Sequence, residues 1–191
     1  NKQPAADREP IDQVIQNEDA APGTGTDTGS GADDTTNAGA RELLAQAEMC
    51  DLVDPMALEV AAAFGAGFEL VEIHGTGSRC QLNLVATANS FVPAGTEVNL
   101  YVLREAAILG DDVAAHASSY EVQYHGEPQP APSVSDDAIV LPDGDSRAIV
   151  LFSAGGRVWS VRSEVMAHDV GGVDDPTAAS AAAVRSGLLA S

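Results

Sequence analysis

The segment from Cys80 to Ala86 changes polarity at almost every step. Cys80, Leu82, Leu84 and Ala86 fall on one side of an extended chain, and Gln81, Asn83 and Val85 on the other. A period of two is the signature of a β-strand with one side turned to a core. It recurs downstream, where Val98, Leu100 and Val102 face inward and Glu97, Asn99 and Tyr101 outward. Upstream, Phe68, Leu70 and Glu72 alternate with Glu69, Val71 and Ile73. The intervening segments, His74-Gly75-Thr76-Gly77-Ser78 and Pro93-Ala94-Gly95, carry turn residues. Three strands joined by short turns predict an antiparallel meander.

Helical spacing brackets this meander. Arg41 to Met49 reads as a short helix with Leu43, Leu44 and Ala47 on one side, broken at Asp51-Leu52-Val53-Asp54-Pro55. Asp54 suits an N-cap and Pro55 the first turn of a second helix, Met56 to Phe64, with an apolar stripe of Leu58, Ala61, Ala62 and Phe64. Gly65-Ala66-Gly67 ends it. Beyond the meander, Ala106 to Ser118 reads as a loose helix interrupted at Gly110-Asp111-Asp112, and Tyr120, Val122 and Tyr124 as a fourth strand. Gly126 to Pro132 holds three prolines and predicts an exposed extended loop. Ala138 to Leu141 and Arg147 to Phe152 flank Pro142-Asp143-Gly144-Asp145, a hairpin signal, and Ala154-Gly155-Gly156 turns the chain into Arg157 to Val165. There Trp159, Val161 and Val165 point inward, Arg162 and Glu164 outward. Asp175-Pro176 opens an alanine-rich helix, Thr177 to Leu189. The fold class expected is α+β, an antiparallel sheet of about six strands with N-terminal helices and a C-terminal helix.

Residues 1–38 are expected to form a disordered acidic tether rich in Gly, Thr and Asp, and residues 39–191 the α+β domain. The leader holds eight acids and two bases, with almost no apolar side chain to offset the entropy of ordering. Gly23 to Gly31 has no strand before it and no lysine, so it is not a phosphate-binding glycine loop. The formal charge of the chain is −20, which repels phosphate backbones and anionic headgroups, so no nucleic acid is expected as a partner. No apolar run reaches the length of a membrane span. A start at Asn1-Lys2-Gln3-Pro4 followed by a long polar tether fits a processed, exported protein.

Cys50 and Cys80 are the two cysteines. In an exported domain they predict a disulfide tying the helical N-terminus to the sheet, with two buried free thiols or metal ligation as alternatives. His74, His116, His125 and His168 share no short ligand spacing and read as isolated surface histidines. Ser153 lacks the preceding glycine of a nucleophile elbow. The pairs Asp111-Asp112, Asp136-Asp137 and Asp174-Asp175 read as solvated turn acids and caps. Asp143-Gly144-Asp145 offers too few oxygens for a calcium loop. No catalytic residue, cofactor or metal is expected, and the chain is expected not to be an enzyme.

The stretch Met49-Cys50-Asp51-Leu52-Val53-Asp54-Pro55-Met56-Ala57-Leu58 resembles the opening of small actinobacterial envelope lipoprotein domains of unknown function, the domain-of-unknown-function 3558 type. Cys80 in Ser-Arg-Cys-Gln-Leu and the terminal helix at Asp175-Pro176-Thr177 keep the order of that family over about residues 42–190; Gln81 and Leu82 stand where a tryptophan is often found. The resemblance implies a non-enzymatic, membrane-tethered role outside the cytoplasm, at the outer face of the plasma membrane. The expected function is therefore binding of a membrane or envelope protein partner, with a small-ligand module for a lipid or other small molecule as the alternative. Contact with the membrane would be made only through a tether not present in this chain. Pro128, Pro130 and Pro132 are the expected partner-binding residues, because each proline fixes a backbone torsion and lowers the ordering cost of binding.

Overall fold

The computed structural model describes residues 48–121, 123–144, 146–166 and 174–191. The expected tether at 1–38 and nearly all of the expected helix from Arg41 to Met49 lie outside the described residues, as does His168. The described elements are α1 (Met49–Val53), a 3-10 turn (Asp54–Met56), α2 (Ala57–Phe64), β1 (Phe68–Thr76), β2 (Arg79–Ala86) and β3 (Glu97–Arg104). A second 3-10 turn (Ala107–Leu109) follows, then α3 (Val113–Tyr120), β4 (Gln129–Pro130), β5 (Ile139–Asp143), β6 (Arg147–Ala154), β7 (Arg157–Val165) and α4 (Asp174–Ala190).

The strands form one antiparallel sheet in the order β1-β2-β3-β7-β6-β5-β4, seven strands rather than about six. Two meanders, β1 to β3 and β4 to β7, are joined by the pairing of β3 with β7. Helices α1, α2 and α4 cover one side. Their Met49, Val53, Val60, Phe64, Ala181, Val184 and Leu188 bury the expected inward set of β2 and β3 together with Val150, Phe152, Trp159 and Val161. A second, smaller core lies on the opposite side, where Val113 and Ala117 of α3 and Tyr124 pack on Leu141, Ile149, Leu151 and Val158.

Local sequence explains most departures from expectation. No break separates α1 from α2: Asp54-Pro55-Met56 forms a 3-10 turn between them, and Asp54 makes no side-chain cap. Pro55 is accommodated because it sits in the first turn, where its missing N–H has no helical partner. The buried stripe of α2 is Ala57, Val60, Ala61 and Phe64, while Leu58 is 74% exposed; the helix is rotated so that the i, i+3, i+4, i+7 set starts at Ala57. Gly67, at φ +86°, leaves no room for a side chain, since a Cβ there would lie 2.4 Å from Ser90 N.

Tyr120 and Tyr124 do not lie in the expected strand, and Val122 lies outside the described residues. Asp112 caps α3 by accepting from Ala114 N and Ala115 N, and the helix runs on to Tyr120. Tyr124 N then donates to Tyr120 O, and the two rings meet edge to face at 6.0 Å. The four-residue spacing is one helical turn, not two steps of a two-residue period. Within the proline segment, Gln129 and Pro130 make a short edge strand on β5. Such an edge accepts a proline because one of its sides needs no donors.

Candidate binding face

The side of the sheet that carries α3 is only half covered, because α3 packs on β5 and β6. The other half, over β1, β2, β3 and β7, presents polar side chains in transverse rows set by the strand register. One row runs Glu72, Asn83, Asn99, Glu164, Arg147 and Asp143; the next runs His74, Gln81, Tyr101 and Arg162 before reaching the apolar Ile149 and Leu141 beneath α3.

A bulge in β1 creates the first two members of these rows. Leu70 pairs with Leu84 and Glu72 with Asn83, so Val71 is an extra residue. One extra residue reverses the side to which every later side chain points. Ile73 therefore joins Phe68 and Leu70 against the helices, correcting the expected alternation, and Glu72 and His74 turn to the open face. Val71 itself is 66% exposed.

The side chains of this face are tied together. Gln81 Nε2 donates to Asn83 Oδ1 at 2.7 Å and to Asn99 Oδ1 at 3.1 Å, and Asn83 Nδ2 donates to Glu72 Oε2 at 3.2 Å. His74 Nδ1 lies 3.8 Å from Glu72 Oε2. The Arg79 guanidinium stacks 4.1 Å from the centre of the Tyr101 ring, and that of Arg162 sits 5.8 Å and 5.6 Å from the rings of Tyr120 and Tyr124. Two shallow cavities open here. One, of about 240 Å³, is lined by Val71, Glu72, Asn83, Val85, Glu97 and Asn99. The other, of about 310 Å³, is lined by His74, Gly75, Arg79 and Gln81.

Behind the boundary of the open face lies a buried polar group. Glu105 accepts hydrogen bonds from the Tyr120 hydroxyl at 3.1 Å and from Ser160 Oγ at 2.5 Å. His116 is only 1% exposed, a correction to the surface assignment. Its Nδ1 lies 4.0 Å from Glu105 and its Nε2 3.3 Å from Gly110 O. Its burial follows from its place on α3, one turn from Val113 and next to Ala117 on the side that meets the sheet. Burial, reinforced by the Glu105 charge and hydrogen bond, pushes the Tyr120 hydroxyl up to about 12. No local sequence pattern announces this group, since Glu105, His116, Tyr120 and Ser160 come from three separate elements.

Cys50 and Cys80 form a disulfide that joins α1 to the start of β2, the middle strand of the first meander. Pro128, Pro130 and Pro132 are exposed and lie at the opposite edge of the sheet, on and beside β4; the structure does not bring them together with the open face. Their segment is docked through Ala131 and Val134, which are buried, and by Ala131 N donating to Ala138 O. Asp143 is engaged by His125 at 3.1 Å and by Arg147. Among the described residues no group of three or more His, Cys, Asp or Glu side chains gathers to hold a metal, and no helix is long and apolar enough to cross a membrane. Comparison with family models, curated proteins and solved structures finds no match to the chain.

Proposed function

We propose that this chain is a non-catalytic interaction domain of an exported, membrane-tethered protein of the cell envelope, and that it acts by binding a partner protein through the open half of its sheet. The observation that supports this most is the contrast within one side of the sheet. Over β5 and β6 the side chains are apolar and covered by α3, whereas over β1 to β3 they are amides and charged groups linked to one another and left uncovered. A linked, pre-ordered polar surface loses little side-chain entropy on binding. The disulfide is compatible with an oxidising, extracytoplasmic compartment.

The test is recovery of partners from native membranes with the full chain as bait. Asn83→Arg together with Asn99→Arg should abolish recovery, with circular dichroism and a cooperative melt showing that the variant still folds despite the lost amide links. The proline segment is a second contact surface, examined separately by changing Pro128, Pro130 and Pro132 to glycine. Recovery untouched by both sets of changes would overturn the proposal.

A further inference from the structure

The open face is electrically two-ended. At one end, Glu72 and Glu97 border the cavity of about 240 Å³, whose remaining walls are Val71, Leu84 and Val85 and the amides of Asn83 and Asn99. Glu69 is paired with Val85 on β2, opposite the side on which Glu97 pairs, so a third carboxylate belongs to this end. At the other end, His74, Arg79 and Gln81 line the cavity of about 310 Å³. There Arg79 is held against Tyr101, and Arg162 stands in the row next to Tyr101, held against Tyr120 and Tyr124. Arg162 Nε is buried without a hydrogen-bond partner among the described residues. Stacking on aromatic rings fixes a guanidinium without neutralising it.

Strand β2 runs through both ends. Asn83 marks the acidic end and Arg79 the basic end, four residues apart, which at strand rise is about 13 Å. The same separation relates side chains i and i+4 of any extended chain, and those two side chains share a face. Between them, Gln81 spends its amide N–H groups on Asn83 and Asn99, so its carbonyl oxygen is turned toward acceptance of a backbone N–H. The aliphatic walls of the acidic cavity match the methylene stem of a lysine, with the glutamates at the position of its ammonium group.

Building on the proposed partner-binding role, we infer that the open face recognises an extended peptide segment carrying a lysine and an aspartate or glutamate four positions apart. The lysine lies between Glu72 and Glu97, and the carboxylate lies against Arg79, with His74 standing between the two ends beside Glu72. The order of the two charges sets only the direction in which the segment runs along β2.

The probes are acetylated, amidated pentapeptides, Asp-Thr-Ser-Thr-Lys and Lys-Thr-Ser-Thr-Asp, with Thr-Asp-Lys-Thr-Ser as an isomer whose charges are adjacent. Each is titrated into the nitrogen-15-labelled full chain at low and at 0.3 M salt, and amide shifts are followed by NMR. One of the two spaced peptides should shift amides of residues 72–74, 79–83 and 97–101, and should bind at least five-fold tighter than the isomer at low salt. High salt should weaken that binding, since exposed charge pairs are screened within roughly a Debye length. Glu97→Gln and Arg79→Gln should each weaken it about three- to ten-fold.

Equal binding of all three peptides, shifts confined to residues 128–132, or no shift at millimolar peptide would each overturn the inference. So would concentration-dependent self-association in sedimentation that is lost with Asn83→Arg, which would make a second copy of this chain the occupant. If the peptides fail while Asn83→Arg with Asn99→Arg still abolishes recovery of an envelope partner, the partner-binding role stands and only the ligand chemistry falls. If both fail, the role falls with it.

Discussion

Reducing the Cys50–Cys80 bond should cost this domain a large part of its stability. The bond closes a loop of sequence separation 30. For a loop of that length, the loss of chain entropy in the unfolded state amounts to roughly 3–4 kcal/mol. A domain of about this size loses about 3–4 °C of melting temperature per kcal/mol, so full reduction should lower Tm by about 10–15 °C. The native contacts at the junction moderate any local opening: Met49 N donates to Gly77 O at 2.9 Å, and Glu48 accepts from Gly77 N. These bonds span the same junction without a covalent link, so amide exchange at Met49 to Val53 should rise in the reduced protein before exchange in β2 does. The assay is circular-dichroism melting of the full chain with and without phosphine reductant, with intact mass after alkylation reporting two and zero modified thiols respectively. Cys50→Ser with Cys80→Ala should reproduce the reduced value to within a few degrees, Cys80 being fully buried and Cys50 half-buried. A shift below about 4 °C with both thiols shown to be alkylated would refute the argument from loop closure.

Burial pushes the Asp143 carboxyl up, but its bond to His125 and the Arg147 charge outweigh burial and hold it below its ordinary value of 3.8. Asp137 is likewise lowered, through hydrogen bonds from Ser135 and Ser153 that overcome burial. Both contribute stability that is complete above the unfolded pKa and lost as pH falls through the lower folded values, so urea midpoints should be flat above about pH 5 and fall below about pH 4; Asp143→Asn should flatten part of that fall. Absorbance titration should show Tyr120 ionising near 12 and Tyr124 above its ordinary 10.0, burial being the leading cause in each. Because these folded values are raised, the associated stability is present below pH 10 and disappears as pH climbs through them. Tyr120→Phe should cost about 1.5–3 kcal/mol in chemical denaturation, since it removes a hydrogen bond to the nearly buried Glu105 carboxylate. Gly67→Ala should cost at least about 1 kcal/mol, because alanine resists a positive φ and its methyl would meet the backbone of Ser90 and Asn89.

Much of the sheet is legible from alternation alone. Cys80 to Ala86, Val98 to Val102 and Trp159 to Val165 point where their period says, because each strand is long, regular and covered on one side by apolar helices. The pairing of β3 with β7 is a tertiary choice between two meanders, and no local pattern encodes it. A period of two has no mark for an inserted residue, so alternation puts Glu72 and Ile73 on the wrong sides of the bulge at Val71, while His74, expected to open a turn, lies within β1. The binding face was half visible. Gln81, Asn83, Asn99, Tyr101 and Arg162 are recognisably outward, yet an outward residue is a site only where nothing covers it. That depends on α3 stopping over β5 and β6, and the Tyr120 and Tyr124 pair that closes α3 has a spacing shared by a helical turn and a strand.

The central claim, that the uncovered half of the sheet is the contact surface, is best tested by placing a photo-crosslinking residue on each side of the domain. Val71 and Leu58 are similarly exposed, at 66% and 74%, but Val71 lies in the open-face cavity and Leu58 on the helical layer. Each is replaced by p-benzoylphenylalanine in the full chain, which is irradiated in native envelopes and resolved by mass. The account predicts a discrete adduct from position 71 that is absent from position 58 and is lost when Asn83→Arg and Asn99→Arg are added. A discrete adduct from position 58 alone would contradict it.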